Sequence, residues 1–246
     1  MSSDNAEDIL NDSLSFFGGK PVVDSDIISY GPLRLTVAPK EGKANTLLAD
    51  HLFSPSLFLA ERIERGLIPI HKRTVVELGS GCGLPSLLMA TNTEPPRTVV
   101  LTDYPDEGIL GNLKDNVDRN RNLFSQECTV HLFYHTLLPE ASSTSDRALV
   151  SQAETNHPGF DIVVLSDLLH FHSSHDVAYV AAGKYTQPHV CDSFIDKAKA
   201  SGFSFEEVLS PDEESEWMGK LDVSDLDKEA LSTRKAACRF WVGRWA

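Results

Sequence analysis

The chain has 246 residues, 41% of them hydrophobic, which is enough for one domain with a sizeable buried core. Its formal net charge is −14, from 36 acidic and 22 basic side chains. This negative charge disfavours non-specific binding to nucleic acid or anionic membranes and suits a basic partner such as a cationic peptide. The four cysteines are far apart and form no CxxC pair, so we expect reduced thiols rather than a zinc site or a disulfide framework.

The first part of the chain is predicted to form a short cap in front of the main domain. Residues 1–13 are acidic and polar, lack the basic start and apolar core of a signal peptide, and are predicted to be a disordered lead. Within the cap, residues 14–70, the run IISYGPLRLTV predicts short strands and NTLLADHLFSPSLFLAERIERG has apolar residues at helical spacing. No run approaches the length of a membrane span, so we expect a cytoplasmic protein.

Predicted strands and helices alternate through residues 71–246. The strands are TVVEL, TVVLTD, CTVHLFYH, FDIVVLSDLL, AYVAAG, FSFEEVLS and CRFWVGRW, and the helices are LPSLLMA, GILGNLKDNVDRN and HVCDSFIDKAKAS. This alternation is typical of an α/β fold with a parallel sheet, and we expect residues 14–246 to form one domain. Two polar insertions, around residues 141–159 and 211–230, are predicted as loops or short surface helices. The ten acidic residues between Glu206 and Glu229 are expected to form a solvated face rather than a docking surface.

A glycine-rich turn follows the first strand of this core. In VVELGSGCGLPSLLMA, residues 75–90, Gly79, Gly81 and Gly83 lie between a β-branched run and an apolar helix. Such a turn normally cradles a nucleotide, and a carboxylate about 20 residues later, at the end of the next strand, binds the ribose hydroxyls. Asp103 occupies that position. The pattern therefore predicts a cofactor that contains a nucleoside.

Charge distinguishes between two cofactors of this kind. Glu77 lies at the strand end, and no lysine or arginine occurs between Thr74 and Pro96. A pyrophosphate would face this carboxylate with only backbone amides to hold it. S-adenosyl-L-methionine has no phosphate and carries a positive sulfonium and an ammonium, so the sequence favours it over a dinucleotide. Glu77 could instead be a structural carboxylate bonded to nearby backbone amides.

Several segments carry a resemblance to a known family. ELGSGCGLPSL, VVLTDYPDEGILGNLKDNV, FDIVVLSDLLHF, AAGKYTQPHVCDSF and CRFWVGRW resemble the class I, or seven-β-strand, methyltransferases. More narrowly, they resemble the fungal family that methylates the N-terminal residue and adjacent lysine of translation elongation factor 1-alpha, formerly labelled nicotinamide N-methyltransferases. TDYPD followed by LxxN, and AAGKYTQPH, are the specific motifs. The resemblance implies a Rossmann-like seven-strand sheet with helices on both faces and a short N-terminal cap.

The resemblance also implies roles for individual residues. Three turn residues, Gly79, Ser80 and Gly81, would contact the methionine part of the donor, Asp103 the ribose, and Ser166 the donor at the end of the fourth strand. Asp167 matches the acidic position of the family's D-x-x-aromatic motif, in which His170 takes the fourth place and Phe171 follows it. Phe53 is the nearest aromatic residue to the position where the family has a tryptophan. Thr136 or His135 takes the place of a second tryptophan near the adenine.

Residues outside the donor motifs are further site candidates. Lys184, Tyr185 and Thr186 follow the fifth strand at the carboxyl edge of the sheet, where ligands bind in open α/β folds, and are predicted to contact the acceptor. Lys184 could equally be a plain surface charge. A zinc site at His170, His172 and His175 is disfavoured, and no metal is predicted. The aromatic residues near the C-terminus, Phe240, Trp241 and Trp245, are expected to pack in the core and at the sheet edge.

One connection departs from the family pattern. Adjacent parallel strands usually need a crossover of a dozen or more residues, but only HFHSSHDV separates FDIVVLSDLL from AYVAAG. Strand five is therefore expected to be misplaced or strained, which would lower stability or activity.

Taken with the resemblance, these residues predict a protein methyltransferase that uses S-adenosylmethionine. The predicted substrate is the N-terminal amine and adjacent lysine of elongation factor 1-alpha, with Asp167 and Tyr185 as the catalytic candidates. An N-terminal amine, with a reference pKa of about 7.7–8.0, is easier to deprotonate than lysine at about 10.4. Two alternatives stay open: a small-molecule methyltransferase acting on a pyridine such as nicotinamide, and a non-catalytic binding protein of the same fold.

Overall fold

The computed structural model describes residues 27–38, 52–133, 159–166, 177–208 and 215–245. The described strands are β1 (Ile28–Tyr30), β2 (Leu33–Leu35), β3 (Thr74–Leu78), β4 (Thr98–Thr102), β5 (Thr129–Phe133), β6 (Ile162–Ser166), β7 (Val177–Gly183), β8 (Phe203–Glu207) and β9 (Cys238–Trp245). The described helices are α1 (Ser54–Glu64), α2 (Leu84–Ala90), α3 (Glu107–Asn120), α4 (Pro188–Ala200) and α5 (Lys228–Ala236), with a short 3₁₀ turn at Arg121–Leu123. None of these helices is long and apolar enough to span a bilayer.

Seven strands form one mixed sheet in the order β5-β4-β3-β6-β7-β9-β8. Neighbouring strands from β5 to β7 are parallel, whereas β9 is antiparallel to both β7 and β8. The expected parallel sheet is therefore found from β3 to β7, whereas the last strand runs antiparallel to its neighbours. The reason is that β9 begins at Cys238 opposite Gly183, the last residue of β7, and so enters the sheet from its carboxyl edge. Hydrophobic alternation marks a strand but carries no information about its direction.

Apolar side chains cover both faces of the sheet. On one face, residues of α1 and α2 such as Phe58 and Leu87 join a core with Val99 and Phe240. On the other face, Phe194 of α4 packs with strand residues including Val163, Val180 and Trp241. The prediction of helices on both faces is confirmed, as is the core placement of Phe240 and Trp241. Trp245 is half exposed and packs edge-on against Phe203, their ring centroids 4.8 Å apart.

The two short strands predicted near the N-terminus form an antiparallel hairpin that turns at Gly31 and Pro32. Part of the second polar insertion holds this hairpin in place. The backbone nitrogen of Gly31 donates to the carbonyl of Asp222 at 2.7 Å, and that of Ser29 donates to Oγ of Ser224 at 2.9 Å. This insertion was predicted as loops or short surface helices. Its described part, from residue 215, docks on the hairpin and leads into α5, which buries Leu231.

The fifth strand of the sheet's parallel part is regularly placed. β7 pairs with β6 in unbroken parallel register from Ile162 opposite Val177 to Ser166 opposite Ala181. This register contradicts the expectation of a misplaced strand. The connection has only to return along a five-residue strand, about 17 Å, and a chain of eleven residues from Ser166 to Val177 can reach about 36 Å when extended. Residues 167–176, and the predicted disordered lead at 1–13, lie outside the described residues.

Candidate active site

The glycine-rich turn lies between β3 and α2 at the carboxyl edge of the sheet. Gly79, Gly81 and Gly83 all have positive φ, at 62°, 55° and 80°. Residues with a side chain rarely adopt this conformation, which explains why the turn needs glycine. Gly83 also lets α2 approach β4, because a Cβ there would lie 2.9 Å from Cδ2 of Leu101. The turn is therefore a compact backbone loop whose shape depends on the absence of side chains.

Asp103 lies beside this turn because β3 and β4 are adjacent, with Leu78 opposite Thr102. One carboxylate oxygen of Asp103 accepts a hydrogen bond from the backbone nitrogen of Gly81 at 2.6 Å, and the other accepts from the nitrogen of Tyr104 at 2.6 Å. A carboxylate oxygen can accept more than one hydrogen bond, so these two bonds do not by themselves prevent Asp103 from accepting from a ligand hydroxyl. The structure thus brings together the turn and the acidic residue that the sequence predicted as ribose ligand.

Glu77 is fully buried behind the turn. Its Oε2 accepts a hydrogen bond of 3.2 Å from the backbone nitrogen of Ser86, in the first turn of α2. This bond supports the alternative that Glu77 has a structural role at a helix N-terminus. Its Oε1 has no hydrogen-bond partner among the described residues, which is unusual for a buried carboxylate. Burial raises the pKa of Glu77 to about 8.

The group of residues around the turn fits S-adenosylmethionine. It offers the carboxylate of Asp103 and the buried carboxyl group of Glu77, which a nearby positive charge would favour in its ionised form, while residues 74–96 contain no lysine or arginine. A diphosphate would be repelled by this set, whereas a ribose diol and a positively charged methionine group match it. The unsatisfied Oε1 of Glu77 is one acceptor that such a cation, or a water bound to it, can satisfy.

Further site candidates lie at the ends of β6 and β7, with Ser166 predicted to border the donor and Tyr185 to contact the acceptor. Ser166 is the last residue of β6, opposite Ala181, and β7 ends two residues later at Gly183. The half-buried Tyr185 folds back over this end, so that a Cβ on Gly183 would enter its ring. Lys184 is turned elsewhere, since its Nζ donates to the carbonyl of Ala236 at the end of α5, 2.6 Å away. This contact favours the alternative in which Lys184 does not contact the acceptor.

The remaining sequence candidates are placed as follows. Phe53 is half buried and directly precedes α1, where its carbonyl accepts hydrogen bonds from Ser56 and Leu57 at 3.1 and 3.3 Å. Thr186, which follows Tyr185, closes the turn after β7 through a 2.9 Å bond to the carbonyl of Gly183. The candidates outside the described residues are His135, Thr136, Asp167, His170, Phe171, His172 and His175.

Sequence reasoning did not single out two residues of this region. Tyr104, directly after Asp103, is 50% exposed, which places a large aromatic side chain beside the predicted ribose ligand. Asn116 of α3 is fully buried and donates to the carbonyl of Cys82 within the glycine turn at 3.0 Å. Both belong to the TDYPD and LxxN motifs, so the motifs were visible but the contacts of their members were not.

Comparison with known proteins finds similarity to methyltransferases. The profile of the lysine methyltransferase family matches residues 53–178. A protein N-terminal and lysine N-methyltransferase, efm7, of Schizosaccharomyces pombe is 28% identical over 185 residues, covering 68% of this chain and 69% of its own. The corresponding protein of Gibberella zeae is 29% identical over 187 residues, covering 65% and 68%. Among solved structures, Trm1 from Pyrococcus horikoshii in complex with S-adenosyl-L-methionine aligns with a TM-score of 0.48 at 12% identity, covering 89% of this chain and 60% of that one.

The sheet order, the glycine turn and the carboxylate at the end of β4 define a class I methyltransferase, an enzyme whose methyl donor is S-adenosyl-L-methionine. The family match extends over half of the chain, and the chain belongs to the lysine methyltransferase family. The predicted fold class, enzyme class and cofactor are thereby confirmed.

Proposed function

We propose that this enzyme methylates the N-terminal amine and the adjacent lysine of translation elongation factor 1-alpha in the cytoplasm. The observation that carries the proposal is the similarity, over about two thirds of the chain, to proteins named protein N-terminal and lysine N-methyltransferase. The specific motifs of the fungal elongation-factor family support the particular substrate. The net charge of −14 also suits a basic peptide better than a neutral pyridine.

The donor side of the site is assigned to the glycine turn and its carboxylates. When bound, S-adenosylmethionine supplies an electrophilic methyl carbon, which an amine lone pair attacks in line with the departing sulfur. The backbone of Gly79, Ser80 and Gly81 would hold the methionine part, and Asp103 the ribose. Phe53 and Thr136 would complete the walls around the donor. These residues bind and orient, and their contribution to rate is the alignment of two reactants with water excluded.

The acceptor side is assigned to the ends of β6 and β7. Ser166 would border the donor, and Asp167, the next residue in the chain, would attract the incoming cationic amine. Tyr185 would flank the amine from the end of β7. Because only the neutral amine has a free lone pair, the N-terminal amine is the easier acceptor near neutral pH, with a reference pKa of about 7.7–8.0 against about 10.4 for lysine.

The test is a methylation assay with three peptides that carry the N-terminal sequence of elongation factor 1-alpha. One has both amines free, one has an acetylated N-terminus, and one has arginine in place of the lysine. Tandem mass spectrometry then locates each added methyl group. We expect methylation at both amines of the first peptide, at the lysine alone in the second and at the N-terminus alone in the third. Nicotinamide is assayed in parallel as the substrate of the small-molecule alternative.

Two controls separate failure of the acceptor assignment from failure of the enzyme. Calorimetric titration with S-adenosylhomocysteine shows whether the donor site of the same sample is intact. Donor binding with methylation of nicotinamide but of none of the peptides would overturn the proposed substrate. Methylation confined to internal lysines of other basic peptides would also overturn it, because the proposal requires an N-terminal amine.

A further inference from the structure

The side chains of three asparagines in α3 form hydrogen bonds with the chain at the end of β2. Asn112, Asn116 and Asn120 are four residues apart and so lie on one face of the helix. The Oδ1 of Asn120 accepts from the backbone nitrogen of Arg34 at 2.8 Å, and its Nδ2 donates to the carbonyl of the same residue at 2.8 Å. Asn116 makes the same pair of bonds with Thr36, at 2.8 and 2.7 Å. These carboxamides take the place of a neighbouring strand.

Asn116 differs from Asn120 in its contact with the glycine turn. Its Nδ2 also donates to the carbonyl of Cys82 at 3.0 Å, in the middle of the glycine turn. The Asn116 side chain is completely buried, and Arg119 donates to its Oδ1 at 2.6 Å. Both hydrogens of its amide group are therefore used, one by the β2 segment and one by the turn. Asn120 is buried to a similar extent, and its side chain forms hydrogen bonds with Arg34 and with the backbone of α3.

The bond from Asn116 fixes one peptide unit of the turn. The carbonyl of the Cys82–Gly83 peptide accepts from Asn116, and the nitrogen of the same peptide donates to the carbonyl of Ser80 at 2.7 Å. This peptide cannot rotate without breaking both bonds. The preceding part of the turn is held at Gly81 by Asp103. The turn is thus held from two sides, by a side chain from the end of β4 and by a side chain from the middle of α3.

We propose that Asn116 is a positioning residue for methyl-donor binding. By holding the carbonyl of Cys82, it keeps the glycine turn in the conformation that receives the donor, and it couples the turn to the β2 segment. An asparagine is needed because aspartate would lose both donated bonds and an apolar residue would leave buried backbone groups unpaired. The inference concerns the donor site alone and does not depend on which amine is the acceptor.

The test compares Asn116→Asp with its matched control Asn120→Asp. Both variants keep the Oδ acceptor and lose the amide donor to the β2 segment. Asn116→Asp loses in addition the bond to the turn, whereas Asn120→Asp loses in addition a bond within α3, to the carbonyl of Asn116. We expect Asn116→Asp to raise the calorimetric Kd for S-adenosylhomocysteine by about tenfold or more, while kcat at saturating donor changes little. Asn120→Asp should change this Kd by no more than about twofold. Equal Kd changes in the two variants, or a loss of kcat without a change in Kd, would overturn the proposal.

A second measurement uses the unaltered chain and does not depend on a variant folding. Coupling is reciprocal, so donor binding must in turn stabilise what Asn116 holds. In amide hydrogen exchange, saturation with S-adenosylhomocysteine should slow exchange at the Thr36 nitrogen, which Asn116 binds, more than at the Arg34 nitrogen, which Asn120 binds. Equal slowing at the two amides, or no slowing at Thr36, would contradict a role for Asn116 in donor binding.

Discussion

The carboxylate of Asp103 accepts a 2.6 Å hydrogen bond from the backbone nitrogen of Gly81, so the end of β4 and the glycine turn form one structural unit. Removing this carboxylate with Asp103→Ala should release the Gly81 part of the turn and remove the predicted ribose ligand. Hydrogen bonds to a charged group contribute about 1.5–3 kcal/mol each, so the Kd for S-adenosylhomocysteine should rise by about tenfold to a hundredfold. Isothermal titration calorimetry measures this change.

The control for Asp103→Ala is Asp118→Ala. Asp118 lies on the exposed side of α3, where it pairs with Lys114 at 2.6 Å and Arg121 at 2.9 Å. Its loss should leave the donor Kd unchanged, because the exposed Asp118 side chain pairs with Lys114 and Arg121 on the helix surface rather than with the turn, and such surface pairs contribute little to stability. A similar Kd for wild type and Asp103→Ala would show that Asp103 does not hold the donor.

Glu77 should make the stability of the free enzyme depend on pH. Burial raises its pKa from 4.5 to about 8, so the folded chain holds this proton more tightly than the unfolded chain. Its contribution to stability is complete below pH 4.5 and is lost as the pH rises through about 8. Relative to Glu77→Gln, the free energy of unfolding of the wild type should therefore fall across this range, by at most about 5 kcal/mol. Urea denaturation at several pH values tests this, and parallel curves for the two proteins would contradict it.

Donor binding should be linked to the same proton. If the positive charge of S-adenosylmethionine lies near the unpartnered Oε1 of Glu77, binding favours the ionised carboxylate and releases a proton. Calorimetry between about pH 6 and 8 in buffers of different ionisation enthalpy should show proton release for the wild type and less for Glu77→Gln. Equal release in the two proteins would assign Glu77 a purely structural role at the N-terminus of α2.

Much of the site's scaffold could be predicted from local sequence, because the residues concerned are close together in the chain. The glycine spacing after TVVEL predicted the turn, and the strand that follows predicted the place of Asp103. Contacts between distant segments could not be predicted in this way. α5 looks like a polar surface helix, yet Lys235 is fully buried because Glu61, 174 positions away, forms an ion pair with it. The bond between Asn116 and Cys82 likewise depends on how α3 packs against the turn.

Gly183 should control the position of Tyr185. A Cβ at Gly183 would enter the Tyr185 ring, so Gly183→Ala must push the ring away from the end of β7. If Tyr185 flanks the acceptor amine, this displacement should lower kcat by roughly tenfold to a hundredfold and leave the donor Kd nearly unchanged. Tyr185→Phe separates the effect of the ring from that of its hydroxyl group. Steady-state kinetics with the peptide substrate gives kcat, and calorimetric titration with S-adenosylhomocysteine gives the donor Kd.

The matched control for Gly183→Ala is Gly111→Ala. Gly111 is exposed on α3, and a Cβ there meets no atom within 4 Å. Alanine is favoured over glycine in a helix by about 0.5–1 kcal/mol, so this change should stabilise the fold slightly without altering kcat. Unchanged kcat in both alanine variants would show that Tyr185 has no role at the acceptor.

The buried ion pair between α1 and α5 should be essential for stability. The Nζ of Lys235 donates to Oε1 of Glu61 and to the carbonyl of Glu216, each at 2.9 Å. Both charged side chains are completely buried. Lys235→Met would leave the buried Glu61 with the longer ion pair to Arg65, at 3.6 Å, as its remaining charged contact among the described residues. Removing one partner of a buried pair costs about 3–5 kcal/mol, and we expect a loss at the lower end of this range. Urea denaturation should show this loss as a lower midpoint.

The same helix offers a control in which the ion pair is exposed rather than buried. Lys228 pairs with Glu216 at 2.6 Å, but the two side chains are 63% and 66% exposed. Lys228→Met removes the same charge from the same helix and should cost no more than about 1 kcal/mol, because water screens the exposed pair. Donor affinity should be unchanged in folded samples of both variants, since neither lysine contacts the turn. Equal losses of stability would mean that α5 is held mainly by its apolar side chains and that the burial of Lys235 adds nothing to its attachment.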